Sequence, residues 1–181
     1  MAKSKFYLVS NFLSGIGAAH NMLADAVDSK RSFIEQTCLS ATLIDGLLRL
    51  SLVMKQQLDT KKEIIDPVLL YQSKRQKKFI PERKVYERAA SEKIISKAIL
   101  GKLNSLYDNR NIIVHRYLIS DIKTKEVIQI AKKYVQIYLI IKERHRVVHD
   151  KLVRANIGMA RHFIVNPTDS EIHQQIMKKH K

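Results

Sequence analysis

The segment Asn109-Arg110-Asn111-Ile112-Ile113-Val114-His115-Arg116-Tyr117 sets a guanidinium, an amide and an imidazole among Ile, Ile and Val. Polar groups of this kind cost free energy in an apolar helix unless something satisfies or uses them. Histidine ordinarily titrates near neutral pH, so it can take up or release a proton. Arginine can hold a phosphate through paired N–H donors as negative charge builds on it. RNA brings its own nucleophile, the 2′-hydroxyl. An imidazole that deprotonates this hydroxyl, or protonates the leaving 5′-oxygen, beside a guanidinium that stabilises the phosphorane would cut the strand. Such a reaction leaves a 2′,3′-cyclic phosphate, spares DNA, and calls for neither a metal nor another cofactor.

On a helix, Asp108, Asn111 and His115 are spaced three and four apart and share one face, so Asn111 is placed to orient the imidazole. Arg110, Val114 and Tyr117 fall on a neighbouring face. Arg110 and His115 stand roughly 140° apart around a regular helix, too far for both to enter one narrow pocket on a single surface. A wide groove, a helix start near Asn109, or a second copy of the segment across a two-fold axis would reconcile them. Symmetric dimers are the commonest oligomers, which favours the last. The competing reading is a polar pair satisfied inside a bundle.

Spacing alone is weak. With 11 Arg and 7 His in the chain, about 0.4 pairs at any one separation are expected by chance. Arg144 and His149 form a second such pair, but Arg144 lies in the charged run Lys142-Glu143-Arg144-His145-Arg146, read as solvated. Context favours the first pair.

The rest of the chain must position that segment. With 181 residues, 45% of them hydrophobic, a single domain with its own core is expected. Five Gly and three Pro leave few breaks, which favours long helices. Lys+Arg outnumber Asp+Glu by 33 to 17, a net charge of +16 that points to a polyanionic partner, nucleic acid before a membrane surface. The lone Cys38 excludes an internal disulfide and suits a reducing, cytoplasmic compartment.

Helical periodicity predicts a first amphipathic helix from about Lys5 to Asp28, overriding a loose likeness to an export signal. A second, from about Arg31 to Leu58, is apolar almost all round and belongs at the centre of a bundle. One of its stripes joins Ile34, Cys38, Ala41, Leu48 and Leu52. No uninterrupted apolar run is long enough to predict a membrane span. Asp66-Pro67 reads as a capped start of a short helix through Tyr71, and Pro81-Glu82 as the start of a helix reaching about Tyr107. The motif segment continues helical to about Ile119, and Asp121 or Thr124 caps the next long helix. Asn166-Pro167 breaks the chain, and Thr168 with Glu171 resembles a capping box for a last short basic helix. The expected product is an all-α, antiparallel up-and-down bundle of about four to six helices over residues 1–165, with a short basic helix or tail over 166–181.

Asp45 stands on an apolar stripe, where a carboxylate should be buried and paired. Arg110 or His115 would make it an orienting residue behind the site; Arg49, one turn away, is the alternative partner. Lys74, Arg75, Lys77 and Lys78, flanked by Tyr71 and Phe79, could grip a nucleic-acid backbone, or form only a solvated loop. His145 and His149 have a metal-like spacing but no evident third ligand, so no metal site is assigned. Gly15-Ile16-Gly17 is read as a close helix contact, and Cys38 as core rather than nucleophile.

Arg110-Asn111 and His115, with three aliphatic residues between them, and Tyr117 two after the histidine resemble the R-x4-H-x-Y signature of the HEPN superfamily, in the version carried by HepT-like toxins. Extended to Asp121, the likeness covers about a dozen residues; elsewhere it rests on helix count and order. The resemblance implies a helical bundle dimerised with its motifs facing each other, and in many members a metal-independent endoribonuclease of toxin–antitoxin or antiphage systems. It implies catalytic roles for Arg110 and His115 and a supporting role for Asn111. Tyr117 would be the position where a partner nucleotidyltransferase, acting as antitoxin, attaches nucleotides to silence the toxin. The alternative is a non-catalytic RNA- or nucleotide-binding module, or the passive subunit of a nucleotidyltransferase pair. The extra N-terminal length and the basic 74–78 segment depart from a minimal HepT-like domain.

Overall fold

The computed structural model describes residues 5–30, 32–71 and 79–159. These form α1 (Lys5–Asp28), α2 (Phe33–Thr60), α3 (Pro67–Leu70), α4 (Glu82–Ser91), α5 (Lys97–Arg116), a 3-10 turn (Tyr117–Ile119) and α6 (Thr124–Ala155). The chain is all-α, with no strand among the described residues. The expected break at Asn166-Pro167, the Thr168–Glu171 cap and the 166–181 tail lie outside the described residues, as do Lys74, Arg75, Lys77 and Lys78.

α2 is the axis of the fold. It packs against α1, α3, α4, α5 and α6, and its most extensive pairing is with α6. An apolar surface on every side requires neighbours on every side. Leu43, Ile44, Leu48, Leu50, Leu52 and Met54 are fully buried, whereas Ile34 at the start of the helix is exposed, so that stripe faces the core only from its middle onward. By length and composition α2 could cross a membrane; here most of that stretch is buried among the other helices.

The helix ends follow local chemistry. The Asp66 carboxylate accepts from the Val68 N–H at 3.0 Å, and Pro67 occupies the first helical position, so α3 starts as expected. The helix expected to run from Glu82 to Tyr107 is instead two. Lys93 adopts the left-handed conformation (φ 58°), and the Ile94 and Lys93 N–H groups donate to Ala89 and Ala90 carbonyls, a Schellman closure with lysine where glycine is usual. Burial of both Ile94 and Ile95 holds this turn, and the Ser96 hydroxyl then caps α5 by accepting from the Ile99 N–H. α6 is capped neither by Asp121 nor by Thr124: Lys123 is the N-cap, its N–H donating to the Glu126 carboxylate at 2.8 Å.

α2 and α6 are joined by polar contacts as well as by packing. The Ser51 hydroxyl donates to the Leu47 carbonyl at 2.7 Å, so its lone pairs receive His145 Nδ1–H at 3.0 Å. Beyond α6, the Met159 N–H donates to Gln57 Oε1 at 3.0 Å, while Gln57 Nε2 donates to the Ile64 carbonyl at 3.1 Å.

Candidate active site

Arg110 lies in the second half of α5, where α2, α4 and α6 converge on it. Its guanidinium donates to Glu82 Oε2 at 2.7 Å, and both side chains are largely buried, 19% and 16% exposed. Glu82 is held in turn by the hydroxyl of the fully buried Tyr86. The Arg110 guanidinium also lies over the Tyr107 ring, 4.7 Å from its centre, and donates to Asn111 Oδ1 at 3.3 Å. Burial works against the arginine's charge, but Glu82 outweighs it and raises the Arg110 pKa above its ordinary value. Burial drives the Tyr86 and Tyr134 phenols well above theirs, with Glu82 adding to the effect in both; Arg110 opposes it at Tyr134. The Tyr134 hydroxyl is buried with no hydrogen-bond partner.

His115 sits on the exposed side of α5, and no hydrogen bond or ion pair joins it to Arg110. Asn111, expected to orient the imidazole, turns its oxygen to Arg110 instead, because the buried guanidinium is the stronger claimant. The two catalytic candidates therefore project differently, as the 140° separation requires: Arg110 inward onto α4, His115 outward. The apolar side chains next to His115 are also exposed, Val114 in part and Leu118 and Ile119 at 93% and 83%. The Tyr117 hydroxyl lies 3.3 Å from that of Thr124, at the entrance to α6.

Asp45 pairs with Arg49, Oδ2 to Nε at 2.6 Å, and hydrogen-bonds neither Arg110 nor His115. Burial raises its pKa, opposed by Arg49, and Glu82 and Arg110 are close enough to act on it through space. Arg49 also donates to the Ile80 carbonyl at 2.7 Å, so this pair fastens α2 to the chain leading into α4. Both residues line a cleft of about 590 Å³, otherwise largely apolar, between α1, α2 and α3.

The run around Arg144 is solvated as its composition suggests, with Lys142, Glu143, Arg144 and Arg146 exposed; His145 alone turns inward. His145 is mostly buried on Ser51, and burial, with His149 beside it, pushes its imidazole down to about 4. Cys38 is partly buried rather than deep core, and burial raises its thiol pKa. Gly46 of α2 lies against Ile16 and Phe12 of α1 at ordinary van der Waals distance. Among the described residues, no group of three or more His, Cys, Asp and Glu side chains could hold a metal ion.

Three residues of the site escaped sequence reasoning: Glu82, Tyr86 and Tyr107. Glu82 carried a signal as the residue after Pro81, but that position equally marks an ordinary helix start. Tyr107 stands one turn before Arg110, which places it against the guanidinium on a helix. Comparison with protein-family models, curated proteins and solved structures found no match for this chain.

Proposed function

We propose that the protein is a metal-independent endoribonuclease of HEPN type that acts as a homodimer. The single observation carrying this reading is the division of labour along α5: a guanidinium fixed by Glu82 and Tyr107, and a solvent-facing imidazole one and a half turns further on. Arg110 makes two side-chain hydrogen bonds out of the five N–H donors a guanidinium has, so some remain for a phosphate. His115 can reach a 2′-hydroxyl or a 5′-oxygen without disturbing the fold. A second copy docked across the exposed Val114, Leu118 and Ile119 would bury apolar surface and bring the two imidazoles toward one cleft, one as base and one as acid. The net charge of +16 supports RNA as the substrate. A toxin or antiphage effector restrained by an antitoxin or nucleotidyltransferase, with Tyr117 as the modified residue, is the corresponding biological role.

The test is incubation of the purified protein with structured RNA in EDTA. Expected are cleavage in the chelator, ends carrying 2′,3′-cyclic phosphate, no cutting of a 2′-deoxy strand, and loss of activity in His115→Ala and Arg110→Ala. Loss of wild-type cutting in EDTA, or full activity of His115→Ala, overturns the proposal.

One observation favours a second reading. The Glu82–Arg110 pair is a self-satisfied polar node, as in a non-catalytic helical module that binds RNA or a nucleotide, or in the passive subunit of a nucleotidyltransferase pair. That module would bind RNA in a salt-sensitive way, unaffected by His115→Ala, and cut nothing.

A further inference from the structure

α4 contributes a second guanidinium to the motif helix. Arg83, adjacent to Glu82, lies over the same Tyr107 ring at 4.6 Å from its centre and pairs with Asp108. Two guanidiniums thus share one aromatic ring, each balanced by one carboxylate, but the carboxylates differ. Glu82 is buried and anchored by Tyr86, whereas Asp108 is 64% exposed and Arg83 42%. An exposed pair of this sort is weak, so a phosphate can displace Asp108. The Arg83 guanidinium is also incompletely satisfied, since its Nε–H is buried without a partner. Its position on α5 matters most. Asp108 precedes His115 by seven residues, so the two project within about 20° of each other, about 10 Å apart along the axis. Arg83, held at Asp108, therefore stands on the His115 side of the helix, the side from which Arg110 turns away.

We propose that Arg83 binds a backbone phosphate of the RNA strand next to the one being cleaved, with Asp108 as the carboxylate that the phosphate replaces. The proposal rests on the ribonuclease reading for the identity of the strand. Arg83 sets the length of substrate held: the strand runs along α5 from His115 toward Asp108, so an oligonucleotide gains this contact and a dinucleotide does not. Tyr107 keeps the guanidinium at the ring while its carboxylate partner changes.

The experiment measures binding of a short single-stranded 2′-O-methyl RNA, whose nucleophile is blocked, over a range of salt concentrations. Arg83→Ala should weaken binding about fivefold and flatten the salt dependence by about 0.7 in log–log slope, the effect of one lost phosphate contact on a single strand. Asp108→Asn, which leaves Arg83 uncompensated, should tighten binding; a merely structural Arg83–Asp108 pair would not produce opposite signs. Both substitutions are at the surface, and circular dichroism confirms the fold. Unchanged affinity and slope in Arg83→Ala, or weaker binding in Asp108→Asn, overturns the assignment, and unchanged wild-type cutting of unmodified RNA leaves the nuclease reading standing. The expected binding pattern without any cutting has the reverse meaning: Arg83 keeps its role and the nuclease reading fails.

Discussion

Glu82 and Arg110 lie 28 residues apart in sequence and meet at 2.7 Å where α4 crosses α5, each largely shielded from solvent. The carboxylate takes a second hydrogen bond from the Tyr86 hydroxyl, so both of its oxygens are occupied. The pair holds the guanidinium at a fixed place and direction, which a residue meant to receive developing charge requires.

Removing one partner of such a pair strands the other. Glu82→Ala should destabilise the protein by about 3 kcal/mol, because the half-buried guanidinium loses its counter-charge and the buried Tyr86 hydroxyl its acceptor. Glu82→Gln keeps an oxygen for Arg110 and should cost distinctly less. Urea denaturation of the two variants checks the order; equal losses would show that the pair adds nothing beyond side-chain volume.

The two catalytic candidates should separate in stability, although the proposed ribonuclease would need both for cutting. His115 is solvent-facing and makes no hydrogen bond within the described residues, so His115→Ala should shift stability by no more than about 0.5 kcal/mol. Arg110→Ala opens a gap over Tyr107 and leaves Glu82 unpaired, so it should lose stability and activity together. Thermal melts read beside cleavage assays give the comparison. A large drop in melting temperature for His115→Ala would mean that the imidazole has a structural duty.

Periodicity and the Asp66 cap were legible in the sequence because they are local, whereas the cap of α6 fell on Lys123 rather than on Asp121 or Thr124. α1, the central position of α2 and the Asp66-Pro67 start of α3 all follow from residues within a few positions of one another. The 82–107 helix was misjudged because its break is made by Lys93 in a conformation that composition does not flag, held by the burial of Ile94 and Ile95. At the site, the positions of Arg110 and His115 were legible and their partners were not. Arg49 was one of three partners open to Asp45, with Arg110 and His115, and only packing decides between a neighbour one turn away and one on another helix. Glu82, Arg83 and Ser51 reach their partners across tertiary contacts, to which no local pattern points.

Gly158 offers a test of the chain beyond α6. It adopts φ +60°, and a methyl group there would collide with the Gln57 amide that accepts from the Met159 N–H. Gly158→Ala should therefore cost about 2 kcal/mol, combining backbone strain with loss of the Gln57 contact. Denaturant midpoints measure it. A neutral result would mean that this turn does not hold its place against α2 in solution.

The His145 imidazole sets a pH dependence whose sign can be worked out. Burial holds its pKa at about 4 in the folded protein, against an ordinary value of 6.5. The unfolded chain thus binds more protons between these values, and stability rises with pH across that window. The contribution is complete above about pH 6.5, disappears as pH falls through 4, and is flat below. A shift of this size corresponds to about 3 kcal/mol at most, since the site is not wholly dry. Asp45 works in the opposite direction: its raised pKa favours the protonated carboxyl and removes stability as pH rises through the folded value. The His145 share is therefore isolated by comparison with His145→Gln, whose stability curve should rise less between pH 4 and 6.5, His20, also lowered by burial, keeping its own part. Parallel curves for the two proteins across that range would place the proton of the acid transition elsewhere than on the contact between α6 and Ser51.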